Sequence, residues 1–150
     1  MLDCLILGDS IAVGTQQVMP RCELVAHVGY NSWQWNQVYG ERAYSAKTAI
    51  ISLGTNDHQY VKTERELETL RTKLDAQRVF WVLPSGNSPK SGVSLEHIQG
   101  IVRAVANRHG DTVLTVSRLQ ADKIHPSDAG YRQIADKVSQ HAGSASVKAP

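Results

Sequence analysis

Residues 2–11 read Leu2-Asp3-Cys4-Leu5-Ile6-Leu7-Gly8-Asp9-Ser10-Ile11. A short apolar run stopped by a glycine has the length of a strand buried on both faces. Ser10 to Met19, closed by Pro20, then reads as a helix. The unit recurs down the chain. Cys22 to Val28, Thr48 to Leu53, Arg78 to Leu83 and Thr112 to Val116 are further strand-like runs, the first three ending at Gly29, Gly54 and Pro84. Helical segments lie between them. Ser32 is a candidate N-cap for one through Trp33, Trp35 and Val38, stopped near Gly40. Thr63-Glu64-Arg65-Glu66 has capping-box spacing and opens a second, with Leu67, Leu70 and Leu74 as its stripe. Ser94 opens a third, with Ile98, Ile101, Val102 and Val105 on one face and Gly110 at its end. Pro126 to His141 forms the last, with Tyr131, Ile134 and Val138 inward. Five strands alternating with helices predict an α/β protein: a five-stranded parallel sheet in a three-layer α/β/α sandwich. Ligands bind such sheets outside the carboxyl ends of the strands, so function is expected in the loops at 8–10, 29–32, 54–58, 84–92 and 117–126.

The chain has 150 residues, 41% hydrophobic and 20% charged, which suits one globular domain. Residues 1–142 are expected to form it and 143–150 a frayed, flexible C-terminal tail. No apolar run is long enough to span a membrane. The net charge of +2 is dispersed, with no basic block to suggest a nucleic-acid partner. The two cysteines, Cys4 and Cys22, make no disulfide framework and are expected as buried thiols on neighbouring strands. No metal-ligand spacing appears, and neither a metal nor a cofactor is expected. The start of the chain lacks a basic n-region, a long apolar segment and a cleavage site. A cytoplasmic location is the default expectation, with export after processing or within an assembly left open.

The loops carry the chemistry. Ser10 stands at the junction of strand and helix, where its hydroxyl overlooks the sheet edge and its amide belongs to a helix's unpaired first turn. That suits a nucleophile whose own N–H stabilises an oxyanion, although a plain N-cap serine is the commoner use of the position. Gly29 lets a backbone amide approach an oxyanion closely, or simply stops a strand. Asn56, in Gly54-Thr55-Asn56-Asp57, offers a side-chain donor at the same edge, or serves turn geometry. Asp122-Lys123-Ile124-His125-Pro126 places a carboxylate where it can accept the Nδ1 hydrogen of His125 and leave Nε2 as a base. Together these supply nucleophile, base, base-orienter and oxyanion donors for acyl transfer through a serine.

Gly8-Asp9-Ser10-Ile11, Gly29, Gly54-Thr55-Asn56-Asp57 and Asp122-Lys123-Ile124-His125 resemble, in order, the four blocks of the SGNH (GDSL-type) hydrolases. The resemblance runs from about residue 4 to about 140. It implies a flavodoxin-like sheet of strand order 2-1-3-4-5 and metal-free ester hydrolysis. By position Ser10 would be the nucleophile, His125 the base and Asp122 its orienter. The Ser10 and Gly29 amides and the Asn56 side chain would form the oxyanion hole. Ile11 stands where the family's short name has leucine, and the 84–92 loop matches no motif. Asp9, Tyr30, Trp33, Asp57 and His58 are candidate substrate-binding residues. Tyr30, Trp33, Trp35, Tyr39 and Tyr60 gather near the mouth, where aromatics stack on sugars or pack as helix core. The expected substrate is a small-molecule or glycan ester with a short acyl group, such as acetyl on a carbohydrate. A lysophospholipase, a thioesterase, an acyltransferase and a non-catalytic binding module on the same fold are the alternatives.

Overall fold

The strands are β1 Leu2–Gly8, β2 Glu23–Ala26, β3 Tyr44–Ser52, β4 Leu74–Val82 and β5 Thr112–Leu114; the helices are α1 Ser10–Val18, α2 Ser32–Tyr39, α3 Thr63–Thr72, α4 Leu95–Arg108 and α5 Asp128–Lys148. All strand pairs are parallel, in the order β2-β1-β3-β4-β5. This computed structural model describes residues 1–86 and 92–148, the side chains of 142–148 excepted. Residues 87–91 of the expected 84–92 loop lie outside the described residues.

Both faces of the central strands are apolar, and alternation along each strand assigns residues to two cores. Leu5, Leu7, Ala49, Ile51, Val79 and Trp81 face Trp35 of α2, Leu67 and Leu70 of α3 and Ile98 and Val102 of α4. Ile6, Ile50, Phe80 and Val82 face Ile11 and Ala12 of α1 and Ile134 and Val138 of α5. Register keeps each set in line, with Ile6 beside Ile50 and Ile50 beside Phe80. Three helices therefore cover one face and two the other, which gives the three layers.

Several boundaries differ from the sequence expectation. Leu74, assigned above to the α3 stripe, is the first residue of β4 and pairs with Tyr44. A position four residues after Leu70 fits a helix stripe, but the helix ends at Thr72, and Leu74 is taken by the sheet. Thr63 does not cap α3. Lys62 holds the N-cap position without a side-chain bond, and the Thr63 hydroxyl donates to Asp57 instead. Asn31, not Ser32, caps α2, in a capping box with Gln34. Ser94 caps α4 as expected. The backbone at 143–148, expected as a frayed tail, continues α5.

The cysteines require a correction. Cys4 and Cys22 are joined in a disulfide, with Cα atoms 4.6 Å apart. Cys4 lies on β1, whereas Cys22 immediately precedes β2: the register that sets Leu5 beside Glu23 leaves Cys4 beside Cys22. Adjacency in a parallel sheet brings their sulfurs together, and linear spacing gave no sign of it. Among the described residues no helix is long and apolar enough to cross a membrane.

Candidate active site

The turn after β1 has almost no freedom. Gly8 sits at φ +144°, and a Cβ there would lie 1.9 Å from the Ser52 carbonyl oxygen of β3. That close approach lets the Asp9 amide donate to the same carbonyl at 3.0 Å. Asp9 is the N-cap of α1. Its Oδ1 accepts from the Ile11 amide at 3.0 Å and from the Ser52 hydroxyl at 3.3 Å. Among the described residues its Oδ2 is buried without a hydrogen-bond partner. Burial pushes the Asp9 carboxyl up to about 7 against the lowering effect of those hydrogen bonds, and the nearby Asp57 adds to the rise. Ser10 follows as the first residue of α1, so its amide is one of the helix's unpaired donors.

The last strand-to-helix loop brings His125 to it. The Ser10 Oγ lies 2.9 Å from His125 Nε2. His125 Nδ1 lies 2.7 Å from Asp122 Oδ2. Assigning the proton from this network puts it on Nδ1, donated to the carboxylate, and leaves the Nε2 lone pair toward the serine hydroxyl. Asp122 Oδ1 accepts from the amides of Ile124 at 2.9 Å and His125 at 3.0 Å. These bonds, the one to His125 first, hold the Asp122 carboxyl down to about 2. The loop is pinned from several sides. The Gln120 amide donates to the His125 carbonyl at 2.8 Å, and the Ser127 amide to the Arg118 carbonyl at 2.9 Å. Gly86, at φ +75°, packs its bare Cα against the Lys123 carbonyl. Tyr131 of α5 lies over Gly14 of α1 so closely that a Cβ there would be 2.2 Å from the ring. This contact fixes the helix behind His125 against the helix that carries Ser10.

Gly29 and Asn56 come from the loops after β2 and β3. Gly29 is exposed at φ +83°, with open space where a Cβ would stand. Asn56 Nδ2 donates to the Tyr30 carbonyl at 3.1 Å, which ties the two loops together. Behind them Asp57 accepts from the Ser32 amide at 2.9 Å, the Ser32 hydroxyl at 2.7 Å and the Thr63 hydroxyl at 2.7 Å. One carboxylate thus joins the starts of α2 and α3 to the Asn56 loop. Asp9 and Asp57 are both 0% exposed. The cap and this junction hold both carboxylates away from solvent.

Tyr30, half-buried, stacks on His27 at 4.2 Å between centroids. Trp33 is 49% exposed, whereas Trp35 is core and donates its indole N–H to the Val25 carbonyl. Trp33 and His58 line a cavity of about 420 Å³ with Asn31, Tyr60, Lys62 and Arg65. Sequence reading did not foresee the bonds of Ser32 and Thr63 to Asp57, that of Ser52 to Asp9, or the places of Lys62 and Arg65 on the cavity wall. A lone hydroxyl or surface cation carries no signal by itself, and only the fold brings these residues to their partners. Among the described residues no group of three or more His, Cys, Asp or Glu side chains could hold a metal ion.

No family model matches the sequence, and no curated protein does. Solved structures do share the fold. A GDSL-like lipase from Bacteroides thetaiotaomicron aligns with a TM-score of 0.71 at 15% identity, over 95% of this chain and 88% of that one. The C-terminal catalytic domain of a Streptococcus pneumoniae peptidoglycan O-acetyltransferase aligns at 0.69 and 19% identity, over 97% and 94%. An acetyl xylan esterase from Geobacillus stearothermophilus aligns at 0.60 and 18%, over 89% and 91%. The strand order and these alignments meet the expectation raised by the four sequence blocks: the chain has the fold of the SGNH-type hydrolases.

Proposed function

We propose that residues 1–142 form one catalytic domain, a serine esterase that removes short acyl groups, acetyl foremost, from a carbohydrate through an acyl-enzyme. The observation that carries this reading is the hydrogen-bonded chain Ser10–His125–Asp122, with bonds of 2.9 and 2.7 Å, at the carboxyl edge of a parallel sheet. Each neighbour fits a role. His125 Nε2 takes the hydroxyl proton as Ser10 Oγ bonds to the ester carbonyl carbon. The Ser10 and Gly29 amides and the Asn56 amide group hold the oxyanion. A side-chain amide has two N–H donors, so Asn56 can keep its bond to Tyr30 and still offer one. When the carbon–oxygen bond to the alcohol breaks, His125 returns the proton to the leaving oxygen. Water then repeats the sequence on the acyl-serine and releases the acid. Asp122, held ionised down to about pH 2, balances the imidazolium in both halves.

Acetyl is favoured over long acyl chains because the base and its orienter are open, with side-chain exposures of 34% and 42%, and the adjoining cavity is lined by polar and aromatic groups. The carbohydrate part rests on the exposed aromatics Trp33 and Tyr60 beside the site. The test is the initial rate of p-nitrophenyl acetate hydrolysis by the wild type and Ser10→Ala, with p-nitrophenyl octanoate for comparison. A rate falling to background in the variant is expected, and an unchanged rate refutes the assignment of Ser10. A strong octanoyl preference overturns the short-acyl reading and favours a lysophospholipase. No rate in either folded protein favours a binding module.

A further inference from the structure

The two loops that carry Gly29 and Asn56 continue directly into the walls of the 420 Å³ cavity, through Asn31 and Trp33 on one side and His58 and Tyr60 on the other. Its floor is the start of α3, with Lys62 and Arg65. Trp33 and Tyr60 are exposed large aromatics, at 49% and 81%. Among the described residues no carboxylate lines the cavity beside the two cations. The acidic residues in the first turn of α3 already have partners. Glu66 is buried and accepts from Asn36, and Glu64 faces Arg108. Arg65 makes a single long contact, 3.5 Å, to Glu66, and its side chain stays 68% exposed. Two aromatic faces and two cations at a helix start form a concave surface that suits a flat, partly apolar ring bearing a negative charge.

Resting on the esterase reading above, we propose that this cavity is a subsite for a carboxylated sugar, so that the substrate is an acetylated acidic glycan. The sugar ring lies against Trp33 and Tyr60, and its carboxylate lies between Lys62 and Arg65. The acetyl ester, on that sugar or its neighbour, reaches Ser10. The shared loops fix the spacing between subsite and oxyanion donors.

The experiment compares acetylated polygalacturonate with acetylated xylan as substrates for the wild type and Lys62→Gln/Arg65→Gln. The wild type is expected to favour the acidic glycan in kcat/KM, and the variant to lose roughly five- to tenfold of that preference, through KM and not kcat, as fits two exposed charge contacts. Raising salt to about 0.5 M should compress the preference in the wild type and not in the variant. A second arm needs no turnover: unesterified oligogalacturonate is titrated into each protein, with quenching of Trp33 as the signal, since Trp35 and Trp81 are buried. Equal kcat/KM on both glycans, or oligogalacturonate binding unaffected by the double substitution, overturns the subsite. A wild type that fails on p-nitrophenyl acetate overturns the esterase reading alone, and the titration still decides the subsite.

Discussion

Replacing Asp9 by asparagine should stabilise the protein at neutral pH and leave it nearly unchanged in acid. Asparagine is close to isosteric with the protonated carboxylic acid. Its carbonyl can still accept from the Ile11 amide and the Ser52 hydroxyl, so the cap of α1 survives. Its NH2 replaces the Oδ2 that has no partner. In the wild type that position holds a proton in the fold until about pH 7, whereas the unfolded chain releases it near the ordinary 3.8. Below 3.8 both states are protonated, and the group does not affect stability. Between 3.8 and 7 the folded state alone keeps the proton, so stability falls as pH rises, and above 7 the loss is complete. The loss amounts to about 4 kcal/mol at about 1.4 kcal/mol per pH unit across that window. For a chain of 150 residues this is a Tm difference of about 10 °C. Thermal unfolding of wild type and Asp9→Asn from pH 4 to pH 8.5 isolates the effect, because every other titrating group is common to both. The difference in Tm should open between pH 4 and 7 and then hold. A difference that does not vary with pH refutes the reasoning.

Three further outcomes follow. Asn56→Ala should lower esterase kcat by about 10²–10³ with circular dichroism unchanged, since an oxyanion donor is lost from a loop that Asp57 still anchors. Gly14→Ala should destabilise by about 1–3 kcal/mol in urea unfolding, because the new methyl meets the Tyr131 ring at 2.2 Å and must push α5 from α1. Opening the Cys4–Cys22 link, by reductant or by the double serine variant, should lower stability by about 3 kcal/mol, as for a closed loop of this length. An equal urea midpoint with and without reductant counts against the link.

The sequence exposed the fold where pattern and sheet agree. Leu5-Ile6-Leu7 and Val79-Phe80-Trp81 are buried on both faces, so each reads as strand without knowledge of its partners. The hydrogen-bonded chain Ser10–His125–Asp122 was legible for a related reason. Asp122 and His125 meet within one short loop, and Ser10 follows the first strand stop. What stayed hidden depends on tertiary pairing. Leu74 satisfies a helix stripe until Tyr44 claims it. Thr63 has the spacing of a cap, but a buried carboxylate is the stronger partner for its hydroxyl. Cys4 and Cys22 bond only because β1 and β2 are neighbours. Lys62 and Arg65 look like any surface cations until Trp33 of α2 and the His58 loop line one cavity with them.

The hydrogen bond between Ser10 and His125 spans 115 positions of chain. Everything that shapes the serine is early in sequence: the Gly8 turn, the Asp9 cap, and the contact with Ser52. Its base arrives on the last loop before α5, after all five strands. A contact of such long range carries a large closure entropy and forms late relative to local structure. Recovered turnover in a refolding experiment would therefore time the completion of the whole molecule. Helical signal would return first, from segments that can form without one another. On the proposed esterase reading, Ser10 would stay without His125 through every partly folded state, so a half-made chain would have no means of cleaving esters around it.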